Sequence, residues 1–264
     1  MLGAIIGDII GSTYEFHNTR DYNFELFPEG SSFTDDTICT IAIADAILKK
    51  IPYKDSLIDW CRRYPHPKGA YGASFSRWIN SSDPQPYDSF GNGAAMRVSP
   101  IGWAFNNAVR IYHEAAESAS CSHSHEEGIK GAAMIAQSIS MLRTDYLGNS
   151  KKEVRKALMN TYGSDYEDRL PIAGVWDETC MGCVPLAIHL FLRSRNFEDA
   201  IRLAVSYGGD SDTLGAIVGS LAGAFYTIPS GISKKAIRYL PKDILDVVIR
   251  FSEKYDPYFI QTIK

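Results

Sequence analysis

Three features are scarce in this sequence: paired cysteines, clustered basic residues and long apolar runs. It has 264 residues but only five cysteines, an odd number that argues against a disulfide framework in a chain of this length. Its 27 basic residues are outnumbered by 31 acidic ones, and the basic residues cluster only in pairs such as Lys49-Lys50. A net charge of -4 without a basic patch disfavours nucleic acid as the main partner.

The longest apolar run, near residues 214–229, contains glycine and serine and is too short to cross a membrane. The first residues lack the basic start of a secretory signal, and Asp8 interrupts the apolar stretch that they begin. We therefore expect a soluble, cytoplasmic protein with no membrane or nucleic-acid partner, and a monomer.

Alternation of apolar and polar residues at every second position, which marks β-strands, is also missing. Apolar residues instead recur at helical spacing, most clearly over residues 127–143. The sequence predicts an all-α fold, a single-domain orthogonal multi-helix bundle over residues 1–264. Predicted helices cover about 2–11, 37–49, 54–63, 73–80, 94–105, 108–119, 127–143, 151–161, 184–191, 197–205, 214–225 and 243–254, with an irregular segment at 163–179.

Two short acidic signatures, Thr34-Asp35-Asp36-Thr37 and Gly208-Gly209-Asp210-Ser211-Asp212-Thr213, each precede an apolar helical run. One interpretation is helix capping, because Asp, Ser and Thr are common N-cap residues and acids suit the positive end of a helix dipole. Capping needs one side-chain oxygen, however, and each signature has a second carboxylate. If the two helix starts meet, four carboxylates form an all-oxygen site that suits Mg²⁺ or Mn²⁺ rather than Zn²⁺.

Several other polar positions allow two interpretations. Asp8, within an apolar helix, suits either a structural hydrogen-bond acceptor or a group behind the metal ligands. Glu15 is either an ordinary surface acid or a gate or base beside the site. Gly91-Asn92-Gly93 predicts a tight turn with unusual backbone angles, either a plain loop or a cradle whose amides bind an anion. Cys180 and Cys183 form a lone pair, which favours buried thiols at a helix start over a zinc or redox site.

Glycines at four-residue spacing mark two of the predicted helices. Such glycines share one helix face and let another backbone approach closely, so close helix packing is predicted at both. The glycines concerned are Gly3, Gly7 and Gly11 in the first helix and Gly215, Gly219 and Gly223 in the helix after the second acidic signature.

Four motifs in order resemble the ADP-ribosylglycohydrolase family, which includes the dinitrogenase-reductase-activating glycohydrolase and the ADP-ribosyl-acceptor hydrolases. The motifs are Gly7-Asp8-x-x-Gly11, Thr34-Asp35-Asp36-Thr37, Gly91-Asn92-Gly93-Ala-Ala-Met96-Arg97 and Gly209-Asp210-Ser211-Asp212-Thr213-Leu-Gly215. The resemblance implies an all-α fold with two Mg²⁺ ions, or Mn²⁺, in a central metal-binding cleft. It also implies hydrolysis of the bond between C1″ of ADP-ribose and an acceptor. The expected partner is therefore an ADP-ribosylated protein or another ADP-ribose conjugate.

The same resemblance implies roles for individual residues. The catalytic residues would be Asp35, Asp36 and Glu15, with Asp35 assisting an attacking water. The metal ligands would be Thr34, Asp35, Asp36, Asp210, Asp212 and Thr213. The residues that line the ADP-ribose cleft would be Gly72, Ser89, Phe90, Gly91, Asn92, Gly93, Met96 and His123.

The sequence departs from part of the family pattern at the residues that relate to the choice of acceptor. Arginine-directed bacterial members carry an acid shortly before a Gly-Asn-Thr segment, and the matching residues 69–74 contain no acid. This absence favours an O-linked acceptor such as serine over arginine. Two other functions stay open: a non-catalytic ADP-ribose-binding or structural relative, and a metal-dependent nucleotide phosphohydrolase.

Overall fold

The structure, a computed structural model, describes residues 1–145 and 148–256. Helices make up its regular structure: these residues form no β-strand, and only isolated bridges join loops. The predicted all-α fold is confirmed, while the last residues of the predicted 1–264 domain lie outside the described part. The α-helices are α1 (Leu2–Gly11), α2 (Asp35–Lys49), α3 (Tyr53–Arg63), α4 (Ala73–Asn80), α5 (Gly93–Met96), α6 (Ser99–Ala104), α7 (Ala108–Ser120), α8 (Glu126–Arg143), α9 (Ser150–Tyr162), α10 (Cys180–Arg193), α11 (Phe197–Tyr207), α12 (Ser211–Phe225), α13 (Ser230–Ala236) and α14 (Lys242–Tyr255).

The pair α1 and α12 forms the centre of the fold. Every residue of α1 is buried, as expected for a helix that is apolar on nearly all sides. A Cβ on Gly7 would lie 1.9 Å from the Gly215 carbonyl oxygen, and a Cβ on Gly3 would lie 2.1 Å from that of Gly219. The two predicted glycine faces therefore pack against each other, with the helices antiparallel. The close packing predicted from glycine spacing is confirmed.

Asp8, on the same helix, fixes the start of α2. Its carboxylate accepts hydrogen bonds from the backbone N–H of Thr34 at 3.0 Å and of Thr37 at 3.1 Å. The hydroxyl groups of both threonines donate to it as well. Asp8 is thus the structural acceptor that one interpretation of the sequence predicted.

The start of α10 confirms the prediction for the two neighbouring cysteines. The Thr179 hydroxyl caps the helix by accepting from the Gly182 N–H at 3.1 Å. Cys180 and Cys183 lie in the first turn as free, buried thiols.

The helix predictions differ from the structure in three places. The segment 94–105 forms two short helices, α5 and α6, separated by a break at Arg97 and Val98. The irregular segment 163–179 contains a 3₁₀ helix, Tyr166–Arg169. Helix α13 and the 3₁₀ helix Ile237–Tyr239 were not predicted, because this segment lies between prolines and lacks a clear apolar period.

Within the described residues, no helix has both the length and the apolar character that a bilayer span requires.

Candidate functional site

The two acidic helix starts meet at the carboxyl end of α1. The antiparallel packing of α1 on α12 brings Gly11 to the start of α12, where an added Cβ would lie 2.4 Å from the Ser211 carbonyl oxygen. Asp8, one turn earlier, holds the start of α2. The Thr213 hydroxyl lies 3.2 Å from Asp36 Oδ2 and joins the two helix starts. One buried helix therefore positions both signatures.

Helix capping explains only part of this arrangement. Thr34 caps α2, since its hydroxyl accepts from the Asp36 N–H at 3.2 Å. Asp210 occupies the N-cap position of α12 but makes no side-chain cap bond. Its carboxylate instead accepts from Asn92 Nδ2 at 2.6 Å. The acids at the start of α12 are thus available for a function other than capping.

Several carboxylate oxygens in this cluster are buried without a partner. Within the described residues, Asp36 Oδ1, Asp212 Oδ1 and Glu15 Oε2 have no hydrogen-bond partner. Burial, reinforced by the neighbouring carboxylates, raises the pKa of Asp36 and of Asp210 well above the usual range. Burial also raises the pKa of Asp212. The ionised cluster is therefore unfavourable unless protons or a cation neutralise it.

The donor type of this cluster fits a hard divalent cation, because all the side-chain atoms on offer are carboxylate and hydroxyl oxygens. The three unpartnered oxygens point to the same conclusion. In residues 1–145 and 148–256, however, no three His, Cys, Asp or Glu side chains stand as a ready-made ion site. The residues therefore fit Mg²⁺ or Mn²⁺ by the chemistry of their donor atoms.

Glu15 lies beside this cluster on the loop after α1. It is 8% exposed, and a Cβ on Gly69 would lie only 2.7 Å from its Oε2 atom. Gly69 has φ +80°, a conformation that glycine adopts without strain. Burial, followed by the charges of Asp212 and Asp8, raises the pKa of Glu15 to about 8. Glu15 is thus placed beside the predicted metal ligands and is not an ordinary surface acid.

The carboxylates open onto a cleft of about 540 Å³, a usual size for a small-molecule site. Two predicted site residues are not among its lining residues. The Thr34 hydroxyl is directed to Asp8, and Phe90 packs edge-on against His125. The predicted residues that do line the cleft are Glu15, Asp35, Asp36, Gly72, Ser89, Gly91, Asn92, Gly93, Met96, His123, Asp210, Asp212 and Thr213.

Space, and not backbone conformation, explains the glycines of the Gly91-Asn92-Gly93 stretch. Neither glycine has a positive φ, so the predicted unusual backbone angles are wrong. A Cβ on Gly93 would lie 3.0 Å from His123 Nε2, and a Cβ on Gly91 would lie 3.2 Å from Ser89 Oγ. Because glycine has no side chain, this segment can lie close to His123.

His123 is buried, and its Nδ1 atom lies 2.9 Å from the Ser122 hydroxyl oxygen. Burial and the charge of Arg97 lower the pKa of His123 well below its usual range. The imidazole is therefore neutral at physiological pH and offers the cleft a polar atom without charge.

Phe16, Trp176 and Glu178 also line the cleft, and the sequence did not predict them as site residues. Trp176 and Glu178 belong to the irregular segment after α9, and Phe16 follows Glu15. The only sequence signal was a tryptophan beside two acids in a loop, and no local pattern indicated that this loop meets residue 16. Tyr71, Phe75 and Arg97 line the cleft as well.

Comparison with known proteins gives consistent results. A family model described as ADP-ribosylglycohydrolase matches residues 1–257. The human ADP-ribosylhydrolase ARH3 is 24% identical over 328 aligned residues, which cover 93% of this chain and 90% of that protein. The ADP-ribosylarginine hydrolase Tri1 of Pseudomonas putida is 23% identical, with 93% of this chain and 76% of that protein covered. A solved ADP-ribosylglycohydrolase-related protein complex contains a chain with the same fold, with a TM-score of 0.72, 24% identity and 96% of both chains covered.

Proposed function

The chain belongs to the ADP-ribosylglycohydrolase family, and from this premise we propose that it is a Mg²⁺-dependent hydrolase of ADP-ribose conjugates. The bond cleaved joins C1″ of ADP-ribose to a protein or small-molecule acceptor. One observation carries the proposal: two acidic helix starts, far apart in sequence, meet on the wall of a single cleft. Carboxylates crowded in this way favour a divalent cation and the positive charge that develops on the sugar during glycoside hydrolysis.

The ligands proposed for two Mg²⁺ ions are Asp35, Asp36, Asp210, Asp212 and Thr213, which line the cleft. Thr34 is the least available member of the predicted set, because its hydroxyl already bonds to Asp8. When bound, the ions would polarise the ribose hydroxyls and offset the charge of the carboxylates.

In the proposed reaction, the water oxygen bonds to C1″ and the electron pair of the broken bond goes to the acceptor atom, which also gains a proton. Asp35 takes a proton from the attacking water. Asp35 lines the cleft that would hold this water. Glu15, which lines the cleft beside these ligands, gives a proton to the leaving acceptor.

Asp36 and Asn92 contribute through their placement and transfer no proton in the proposed reaction. The Thr213 hydroxyl fixes Asp36, whose charge stabilises the oxocarbenium-like sugar of the transition state. Asn92 donates to Asp210 at 2.6 Å and so links the Gly91-Asn92-Gly93 segment to the acidic cluster. That segment would lie against ADP-ribose together with Gly72, Ser89, Met96 and His123.

The proposal is tested with Asp35→Asn and Asp212→Asn, which remove charge but keep shape. Release of ADP-ribose is measured with Mg²⁺ on serine-linked and arginine-linked peptides and on O-acetyl-ADP-ribose. We expect each variant to lose about 100-fold or more in rate, the usual loss when charge stabilisation of a transition state is removed. Asp246→Asn, an exposed position on α14, is the matched control and is expected to keep the wild-type rate.

Thermal unfolding gives an independent measurement. Mg²⁺ is expected to raise the Tm of the wild type but not that of Asp212→Asn. Without Mg²⁺, Asp212→Asn is expected to be at least as stable as the wild type, because it removes a buried charge from a repelling cluster. Absence of hydrolysis on every conjugate would contradict the proposed activity and favour a non-catalytic relative. Unchanged activity in both variants would contradict the metal mechanism alone.

A further inference from the structure

Beside the acidic cluster, the lining of the cleft contains two groups of residues with different chemistry. One group, with Ser89, Gly91, Gly93 and His123, consists of small or neutral residues. The other group, which we call the acidic aromatic edge, consists of Glu15, Phe16, Trp176 and Glu178. It brings together two loops, one after α1 and one before α10.

Two aromatic rings of the acidic aromatic edge stack on each other in the open. The Phe16 and Trp176 ring centroids lie 5.6 Å apart at an interplanar angle of 12°. Phe16 is 64% exposed and Trp176 is 41% exposed. Large aromatic side chains exposed at the mouth of a polar cleft indicate a contact surface for a ligand.

The Glu178 carboxylate is held beside these rings. Its Oε1 atom accepts a hydrogen bond from the Trp176 indole N–H at 2.5 Å, which orients the side chain. The backbone carbonyl of Glu178 accepts from the Asn92 N–H at 2.6 Å, which fixes the residue against the cleft. Unlike the acids of the buried cluster, Glu178 is exposed to solvent and does not belong to the proposed ligand set.

Charge decides which end of an ADP-ribose conjugate meets the acidic aromatic edge. The diphosphate is an anion and is repelled by the exposed Glu178 carboxylate. The neutral group around Gly91 and His123 carries no carboxylate. The diphosphate therefore belongs on the neutral side, and the acidic aromatic edge is left for the acceptor.

We propose that Glu178, with the Phe16–Trp176 pair, forms an acceptor subsite that selects a guanidinium, and thus arginine-linked over serine-linked ADP-ribose. A guanidinium is a planar cation that donates in pairs to a carboxylate and stacks on aromatic rings. Residues 69–74 lack the acid expected for an arginine acceptor, and Glu178 supplies one from a distant loop. This inference rests on the proposed hydrolase function and names its substrate class.

The test compares two peptides of one sequence that carry ADP-ribose on arginine or on serine, with the full chain and Mg²⁺. We expect the wild type to have the higher kcat/KM on the arginine-linked peptide. Glu178→Gln is expected to lower the arginine-to-serine ratio of kcat/KM about 10- to 100-fold, as for loss of one charged hydrogen bond. Phe16→Leu keeps an apolar side chain without the ring and is expected to lower that ratio about 2- to 5-fold. The matched control is Glu153→Gln on the exposed face of α9, with an unchanged ratio.

Three results would overturn the inference while leaving the proposed function intact: a wild type that prefers the serine-linked peptide, equal losses on both peptides in Glu178→Gln, or no loss on either. If the wild type hydrolyses neither peptide nor O-acetyl-ADP-ribose, the proposed function fails, and calorimetric binding of the two peptides decides the acceptor question separately. Tighter binding of the arginine-linked peptide that Glu178→Gln removes would support the subsite. Equal affinity of the wild type for both peptides would refute it.

Discussion

Substitution of Gly7 by alanine tests how the fold brings the two acidic signatures together. The new Cβ would lie 1.9 Å from the Gly215 carbonyl oxygen, 2.4 Å from the Gly215 carbonyl carbon and 2.9 Å from the Ala216 nitrogen. Ordinary contact begins at 3.4 Å, so the helix axes must separate locally by about 1.5 Å. All three atoms belong to the backbone of α12, so no change of side-chain rotamer relieves the clash.

The expected cost of Gly7→Ala follows from this geometry. Overpacking of a core by one methyl group typically costs about 1–3 kcal/mol, with the high end where nothing can rotate away. Both helices are buried around the contact, so we expect a loss of about 3 kcal/mol in the free energy of unfolding. For a chain of this size, that corresponds to a fall in Tm of about 6–12 °C.

The assay is thermal and urea unfolding followed by circular dichroism. Gly231→Ala is the matched control, because Gly231 lies in a helix, has a negative φ and has no atom within 4 Å of an added Cβ. This control is expected to be neutral or to gain up to about 1 kcal/mol, since alanine favours a helix over glycine. Gly223→Ala, whose nearest contact would be 3.2 Å, is expected to fall between the two.

A Tm of Gly7→Ala within about 2 °C of the wild type would refute the argument that the glycine faces set the helix separation. Loss of stability in both Gly7→Ala and Gly231→Ala would also refute it, because a general effect of the methyl group would then explain the result.

Two further predictions concern single acids away from the proposed reaction. Asp8→Ala leaves the buried donors of Thr34 and Thr37 without an acceptor. We expect it to lower the free energy of unfolding, measured in urea, by about 3–5 kcal/mol. A loss under about 1 kcal/mol would contradict the structural role of Asp8. Hydrogen bonds from Arg195 lower the pKa of Asp199 to about 2, below its unfolded value, so this acid stabilises the fold above about pH 4 and loses that effect as the pH falls towards 2. Because the Arg195 side chain is 80% exposed and screened by solvent, we expect Asp199 to contribute only about 1 kcal/mol to the free energy of unfolding. The difference in stability between the wild type and Asp199→Asn should shrink from about pH 5 to about pH 2. A constant difference would contradict the assignment.

The local patterns in the sequence predicted most helices to within two or three residues, because helical period and N-cap residues are encoded by neighbours along the chain. The exceptions have local causes as well. Pro100 stands at the start of α6, so the segment 94–105 forms two helices. Helix α13 was not predicted because it has only seven residues and no clear apolar period.

The chemistry of the site was also predictable in type. A second carboxylate in each signature indicated a role beyond capping, and the N-cap of α12 makes no side-chain cap bond. Capping of α2 by Thr34 is local and was one interpretation of the sequence. The bond from the Thr34 hydroxyl to Asp8 could not be predicted, since it depends on how α1 meets α2.

By itself, the sequence determined the all-α class, the two glycine faces, the paired acids at two helix starts and the resemblance to a family. Each of these is a property of residue type and short spacing. Only the tertiary structure decided that the glycine faces pack on each other, that α1 thereby joins the starts of α2 and α12, and that Phe16 stacks on Trp176 beside Glu178. The physical reason is that these contacts join segments far apart in the chain, and their geometry follows from how closely whole helices approach.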